Sequence, residues 1–527
     1  MNVKTGATLV TKPPRDLRLD FFRGIAMFII LLAHTPGNTW TLWIPARFGF
    51  SDATEIFVFC SGMASALAFG VVFAKKSWFL GAARICFRVW QVYWAHIGVF
   101  ITTALLMVAI DQTGLGEEGK TYADWFSVTR FFSHTQDTLL GLMTLSYVPG
   151  LFDILPMYLV ILAMVPVVML AHRFGGRWAV FGLVGAMWLA AQLALWHRSV
   201  GTEETHLLGA VLASIGSMFS ILNLPASPWN PTNVWFFNPF GWQLVFFTGF
   251  AFGMKWIPAP PVNRTLILIA AGYVILTLPL AWFKIHRAVY LPDEWLLHDW
   301  IFYAREWIEP LRWKTGVGLM RYVHFLAIGY LAWAAVGPSG IRLYEGWSVP
   351  RVAKPVTLVI MGVIAFVTIP YAYVEEIRMV SPAANQLIFD LYQPLGLILP
   401  EERIGMAQIA HMIAMIILAW AAIGAVWRKW LVTKGFLSLV PIIRKVGTQS
   451  LAVFMMSIVL SRFNGWWLDV IGRDVWDKAL VNLTGIGILI GTAYLVGWLK
   501  AEPWRKEVKP QVTENAQTSV ASRSPAE

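Results

Sequence analysis

The stretch "RLDFFRGIAMFIILLAHT", residues 18–35, is apolar enough for a membrane helix, yet it carries Arg23 near one end and His34 near the other. At 100° per residue, eleven positions make three turns plus a small remainder. Both side chains therefore share one stripe, ~16 Å apart along the axis. Ionisable groups are costly in hydrocarbon and tend to face a bundle interior, where they mark a site or a pathway. Two readings stand for each residue. Arg23 either snorkels to lipid phosphates or serves a ligand. His34 either ends a helix or acts as a base or nucleophile near neutral pH.

The rest of the chain extends that reading. Of 527 residues 57% are hydrophobic, only 13% are charged and 28 are tryptophan, whereas soluble domains are about a quarter charged. Apolar runs long enough to cross a ~30 Å hydrocarbon core recur along the sequence. They predict spans at 20–35, 55–74, 86–110, 153–171, 178–196, 235–254, 263–283, 317–336, 355–373, 406–427, 447–463 and 481–499. The expected fold is an all-α, polytopic transmembrane helix bundle of ten to twelve spans, twelve by this count.

Lys and Arg gather in alternate connections, from Lys75 and Lys76 to Arg444 and Lys445, while the others are mixed or acidic. That bias puts both termini in the cytoplasm. The net charge of +11 flanks spans instead of forming a basic patch, so nucleic acid is not an expected partner and membrane lipid is. Cys60 and Cys86 read as small apolar packing residues, and no spacing suits a metal.

The expected organisation is a cytoplasmic N-terminal segment (1–19), an integral membrane domain (20–500) and a disordered cytoplasmic tail (501–527). No removable signal peptide is read at the polar N-terminus, so the first span itself inserts the chain. Among the long outer segments, "DEWLLHDWIFYAREWIEPLRW" (293–313) suits a helix lying in the interface.

The second span opens "FSDATEIFVFCSG", residues 50–62. Asp52 and Glu55 have capping-box spacing. The connection from the first span is short, so they also return to the level of His34, where a carboxylate can orient an imidazole. Ser61, Gly62, Ala64, Ser65, Ala66, Ala68 and Gly70 then make this helix small-sided. Such a side serves close packing, and would equally leave room for a slender ligand beside the first helix.

At these residues the chain resembles a family. "LDFFRG" with Arg23 and His34, followed by "EIFVFCSG" (55–62), is similar to the signature of the membrane acyltransferase 3 superfamily. "AHTPGN" (33–38), "DILPMYLVIL" (153–162), "NPFGWQLVFFTG" (238–249), "RYVHFLAIGYL" (321–331) and "GTQSLAVFMMSIVLS" (447–461) resemble blocks of the OpgC family, succinyltransferases of osmoregulated periplasmic glucans.

The resemblance implies a multi-pass protein of the bacterial inner membrane. Its donor would be cytoplasmic acyl-CoA, here succinyl-CoA, its acceptor a periplasmic glucan, and no metal would take part. On that reading Arg23 meets donor phosphate, assisted by Arg84 and Arg88. His34 is the catalytic base or acyl-carrying nucleophile, with Glu55 and Asp52 beside it. Asn238, Gln243 and His324 are candidates for substrate contact, each with a competing role in capping or packing. The runner-up is a secondary transporter or flippase. It would place acidic groups near the midplane in related halves, and no predicted span carries Asp or Glu at its middle.

Overall fold

The computed structural model describes residues 16–200, 207–230, 232–287, 291, 294–372, 383, 386–387, 390 and 404–505. Most of the expected N-terminal segment, all but the first residues of the expected tail, and most of the connection 374–405 lie outside them.

The architecture is helical. The main elements are α1 (Leu17–His34), α2 (Ala53–Lys75), α3 (Trp78–Gln112), α4 (Ile154–Val200), α5 (Pro239–Gly253), α6 (Arg264–Ala281) and α7 (Leu296–Trp307). They continue with α8 (Leu319–Val336), α9 (Pro355–Ala372), α10 (Ile404–Ala422), α11 (Ala425–Thr448), α12 (Ser450–Ile471) and α13 (Val475–Lys500). Among the described residues, seven helices are long and apolar enough to cross a membrane, or eight if the bent pair α10–α11 is one span. The length and composition of the chain thus make a membrane protein. α1 falls outside that set because Arg18, Asp20 and Arg23 charge its first half, yet it packs inside the bundle against α2, α11 and α12.

α4 runs for 47 residues, more than twice what one crossing needs. It is two limbs. Gly176 leaves the helical region with φ 62° and ψ −160°, a conformation that glycine adopts without a Cβ penalty. Tyr158 packs on Phe246, ring centroids 6.1 Å apart, while the Val184 carbonyl accepts from Gln243 Nε2 at 2.8 Å. In a straight helix residues 158 and 184 would stand ~39 Å apart. Reaching two neighbouring turns of α5 requires the chain to fold back at Gly176. The two spans expected here are therefore limbs of one hairpin.

Two helix crossings are made close by glycine. Gly62 of α2 lies against the Phe246 carbonyl of α5, and Gly249 of α5 against the Phe59 carbonyl of α2. Gly24 of α1 meets the Ile443 carbonyl of α11, and Gly447 of α11 meets that of Asp20. A Cβ at any of these would collide with backbone, so larger residues would force the helices apart.

The region 428–446 corrects an expectation. Its charges read as a cytoplasmic loop, but it is helix, bent by 104° from α10. Its apolar stripe, including Val440 and Ile443, packs beside Phe21 of α1. Amphipathicity rather than length makes this helix. The stretch expected to form an interfacial helix is helical as α7, with Trp300, Tyr303 and Trp307 exposed and Ile301 buried.

Candidate active site

Arg23 and His34 open into different cavities. His34 lines one of about 420 Å³ with Thr54, Tyr147, Asp153 and Lys314. Arg23 lines another of about 380 Å³ with Ser61, Ser65, Arg84 and Arg88. The small residues of α2 thus serve both expected uses. Gly62 packs on α5, while Ser61, Ala64, Ser65 and Ala68 form cavity wall.

His34 is the last residue of α1, half-buried. Its Nδ1 lies 2.9 Å from the Ile30 carbonyl. A carbonyl oxygen can only accept, so Nδ1 carries the proton, and in the neutral ring Nε2 keeps its lone pair. Helix geometry alone supplies this orientation, because Ile30 lies one turn earlier on the same stripe. The arrangement suits proton abstraction from a hydroxyl in the cavity.

Asp52 and Glu55 meet only part of what was expected of them. They do form the capping box of α2: the Thr54 amide donates to Asp52 at 2.7 Å, and the Asp52 amide to Glu55 at 2.8 Å. Neither makes a described hydrogen bond to the imidazole, so the expected carboxylate–imidazole contact is not formed. Lys314 Nζ instead lies 2.6 Å from Asp52 Oδ2, and Arg321 reaches Asp52 at 3.1 Å and also binds Glu55. Glu55 is fully buried and Arg321 nearly so. Burial alone would raise the Asp52 carboxyl, but Lys314 and Arg321 override it and hold it well below the usual carboxylate range. Two cations and two carboxylates thus join α2, α8 and the segment before α8.

Lys314 is the only Lys or Arg among the described residues lining the cavity of His34. It was not foreseen. Its signal was "RWKTGVG" (312–318), a basic group immediately before a span. Arg462, inside the apolar run of α12, was also missed. It is buried and donates to the His34 carbonyl, a favourable place for a cation at a helix C-terminus.

The Arg23 guanidinium is buried and points into the bundle, where Nη2 donates to the Cys60 carbonyl at 2.6 Å. Its Nε finds no hydrogen-bond partner among the described residues. It does not snorkel. Arg84 is exposed at the cavity rim, 5.7 Å from the Phe69 ring, and Arg88 donates to Gln91 at 3.1 Å.

The three candidates for substrate contact line neither cavity. Asn238 caps α5, accepting from the Phe240 amide at 2.9 Å and donating to the Leu222 carbonyl at 2.9 Å. Gln243 is fully buried and ties α5 to α4 through Val184. His324 accepts at Nδ1 from the Ser51 amide at 3.3 Å, with the Ser51 hydroxyl at 2.8 Å. Gly49 lies so close to that ring that a Cβ there would collide with it. These contacts bind helices and loops together.

Among the described residues no cluster of His, Cys, Asp or Glu could hold a metal ion. An apolar helical bundle with one guanidinium cavity and one imidazole cavity along its first helix is that of a membrane protein. Compared with known families, the chain matches the OpgC protein family over residues 15–356 and 339–501. It belongs to that family. No curated protein and no solved structure gives a significant match.

Proposed function

We propose that the protein is a membrane O-acyltransferase that takes an acyl group, succinyl by family, from acyl-CoA in the Arg23 cavity. The acceptor is a hydroxyl of a periplasmic glucan in the His34 cavity. The observation that carries the reading is the division of one helical stripe between two cavities, with a phosphate-type cation in one and a free imidazole nitrogen in the other. Membership of the OpgC family supports acyl transfer related to osmoregulated periplasmic glucans.

Sidedness has its own support. α2 and α5 run in parallel, since Gly249 meets Phe59 and Gly253 meets Ala66. Their ends therefore lie together, and His172 of α4 stacks on Trp256 just beyond α5, 4.4 Å between centroids. Lys75, Lys76, Arg84, Arg173, Arg177 and Lys255 gather at this end, the end of Arg23. By the positive-inside bias it faces the cytoplasm, where acyl-CoA is made. Helices stand on all twelve expected spans when the limbs of α4 are counted separately, and our reading is that each crosses the inner membrane.

The chemistry follows from His34. Nε2 takes the proton of the acceptor hydroxyl as its oxygen bonds to the thioester carbonyl carbon. The tetrahedral oxyanion then collapses, the C–S bond breaks, and the imidazolium returns the proton to the departing thiolate. Products are the glucan ester and free CoA. Lys314, in the same cavity, is the cation available to stabilise negative charge on the carbonyl oxygen. Arg23 binds and orients the phosphates of the donor without touching the reacting atoms.

The test is direct. Membranes containing the protein, given succinyl-CoA labelled in the acyl group and a glucan acceptor, yield labelled glucan ester and stoichiometric CoA. Accumulation of unmodified glucan or solute inside vesicles, without ester, would favour the transporter.

A further inference from the structure

The two cavities share four helices and approach each other closely on three of them. On α1 Ile30 faces the His34 cavity while Arg23 faces the other, two turns away. On α2 the change falls between Thr54 and Phe57, and on α12 between Phe454 and Leu451. On α4 it falls between consecutive residues, Ile154 and Leu155. Three residues of helix are only ~4.5 Å of axis. The partition is therefore about one layer of side chains thick.

Two phenylalanines form its centre. Phe57, in the wall of the Arg23 cavity, stacks on Phe454, in the wall of the His34 cavity. Their centroids are 5.5 Å apart and their planes differ by 15°. Both rings are buried, with 4% and 1% of their surface exposed. A ring contact shared between two cavities differs from an ordinary core pair, because each ring borders open space into which it can turn.

We infer that Phe57 and Phe454 form an aromatic gate, and that the two cavities are halves of one passage which opens when these rings rotate apart. What passes is slender and unbranched, the width of an extended thioester arm. Closed, the gate keeps water of the acceptor side from the thioester. The identity of the traveller rests on the acyl-transfer reading; the barrier does not.

The barrier is tested by labelling. Ala64 lines the Arg23 cavity. Ala64→Cys is introduced with Cys86→Ser, Cys60 being buried. A membrane-impermeant maleimide is then applied to right-side-out and to inside-out vesicles. The expected result is labelling from the Arg23 face alone. With Phe57→Ala and Phe454→Ala added, labelling from the His34 face rises at least tenfold.

Should the double variant fail to accumulate, Phe57→Leu, which removes the ring but keeps apolar bulk, carries the same expectation with a smaller rise. Equal labelling from both faces before the gate is altered, or a His34 face still silent in the ring-less variant that folds, would overturn the gate. In parallel, the ring-less variant releases CoA and free acid faster without acceptor, as water attacks the thioester. A protein that shows the labelling change but never transfers acyl groups sinks the function and keeps the gate. One that transfers normally with labelling unchanged sinks the gate alone.

Discussion

Arg23 and His34 stand on one stripe of α1, and the stripe divides so that Arg23 faces one cavity and His34 the other. On the proposed reading, a donor held by charge at one end and reacting at the other has both needs met on a single helix. Rigidity matters because misplacement of reacting groups by ~1 Å can cost 100-fold in rate.

His34→Ala is expected to lower acyl transfer by 10²–10⁴-fold, the usual worth of a positioned base, while leaving the protein folded. The His34 side chain is half-buried and bonds within its own helix, and the backbone carbonyl that Arg462 binds is kept in the variant, so the thermal unfolding midpoint should move little. Labelled ester formation and a melting curve on the same preparation check both parts. Undiminished transfer would remove His34 from the chemistry.

Arg23→Ala should weaken CoA binding by about 10- to 100-fold, since a hydrogen bond to a charged group contributes about 1.5–3 kcal/mol. Acceptor KM should not change. Calorimetric titration with CoA separates the two, and an unchanged CoA affinity would reduce Arg23 to its bond with the Cys60 carbonyl.

Arg321 is a structural cation on this account. Arg321→Met leaves Glu55 buried without its partner, and removing one member of a buried pair costs about 3–5 kcal/mol. Loss of the folded protein from membranes, or a large fall in its unfolding midpoint, is the expected outcome.

The Asp52 ion pairs give a pH signature. The folded carboxyl sits below its ordinary value of 3.8, so its stabilising contribution is complete above that value and disappears only as the pH falls through the lower folded one. The gap in unfolding midpoint between the wild type and Asp52→Asn should therefore stay constant from pH 5 to pH 8. A gap that shrinks across that window would show that Lys314 and Arg321 do not hold the carboxyl ionised.

Legibility in the sequence followed the range of the interaction. The stripe of α1 and the capping box of α2 are local, fixed by helical period and by a three-residue spacing, and both were readable. The partners of that box are not local. Arg321 and Lys314 lie some 260 residues downstream, and only tertiary packing brings them to Asp52 and Glu55, whose described side-chain bonds are to these cations and to backbone amides. Asn238 and Gln243 carried a true signal of polarity at a helix start, but Asn238 and the Gln243 Nε2 bond to backbone, outside both cavities. α11 was hidden because its charges resemble a loop, while its apolar stripe only makes sense beside α1. Phe57 and Phe454 could not stand out in a chain with 34 phenylalanines; only their place between two cavities distinguishes them.

The central claim is that donor and acceptor react from opposite faces of the membrane through one site. Sealed vesicles presenting the Arg23 face inward are loaded with labelled succinyl-CoA, and glucan is added outside. The account predicts labelled glucan ester outside and free CoA retained inside, with neither formed by His34→Ala. Ester formed only when donor and acceptor share one compartment would contradict it.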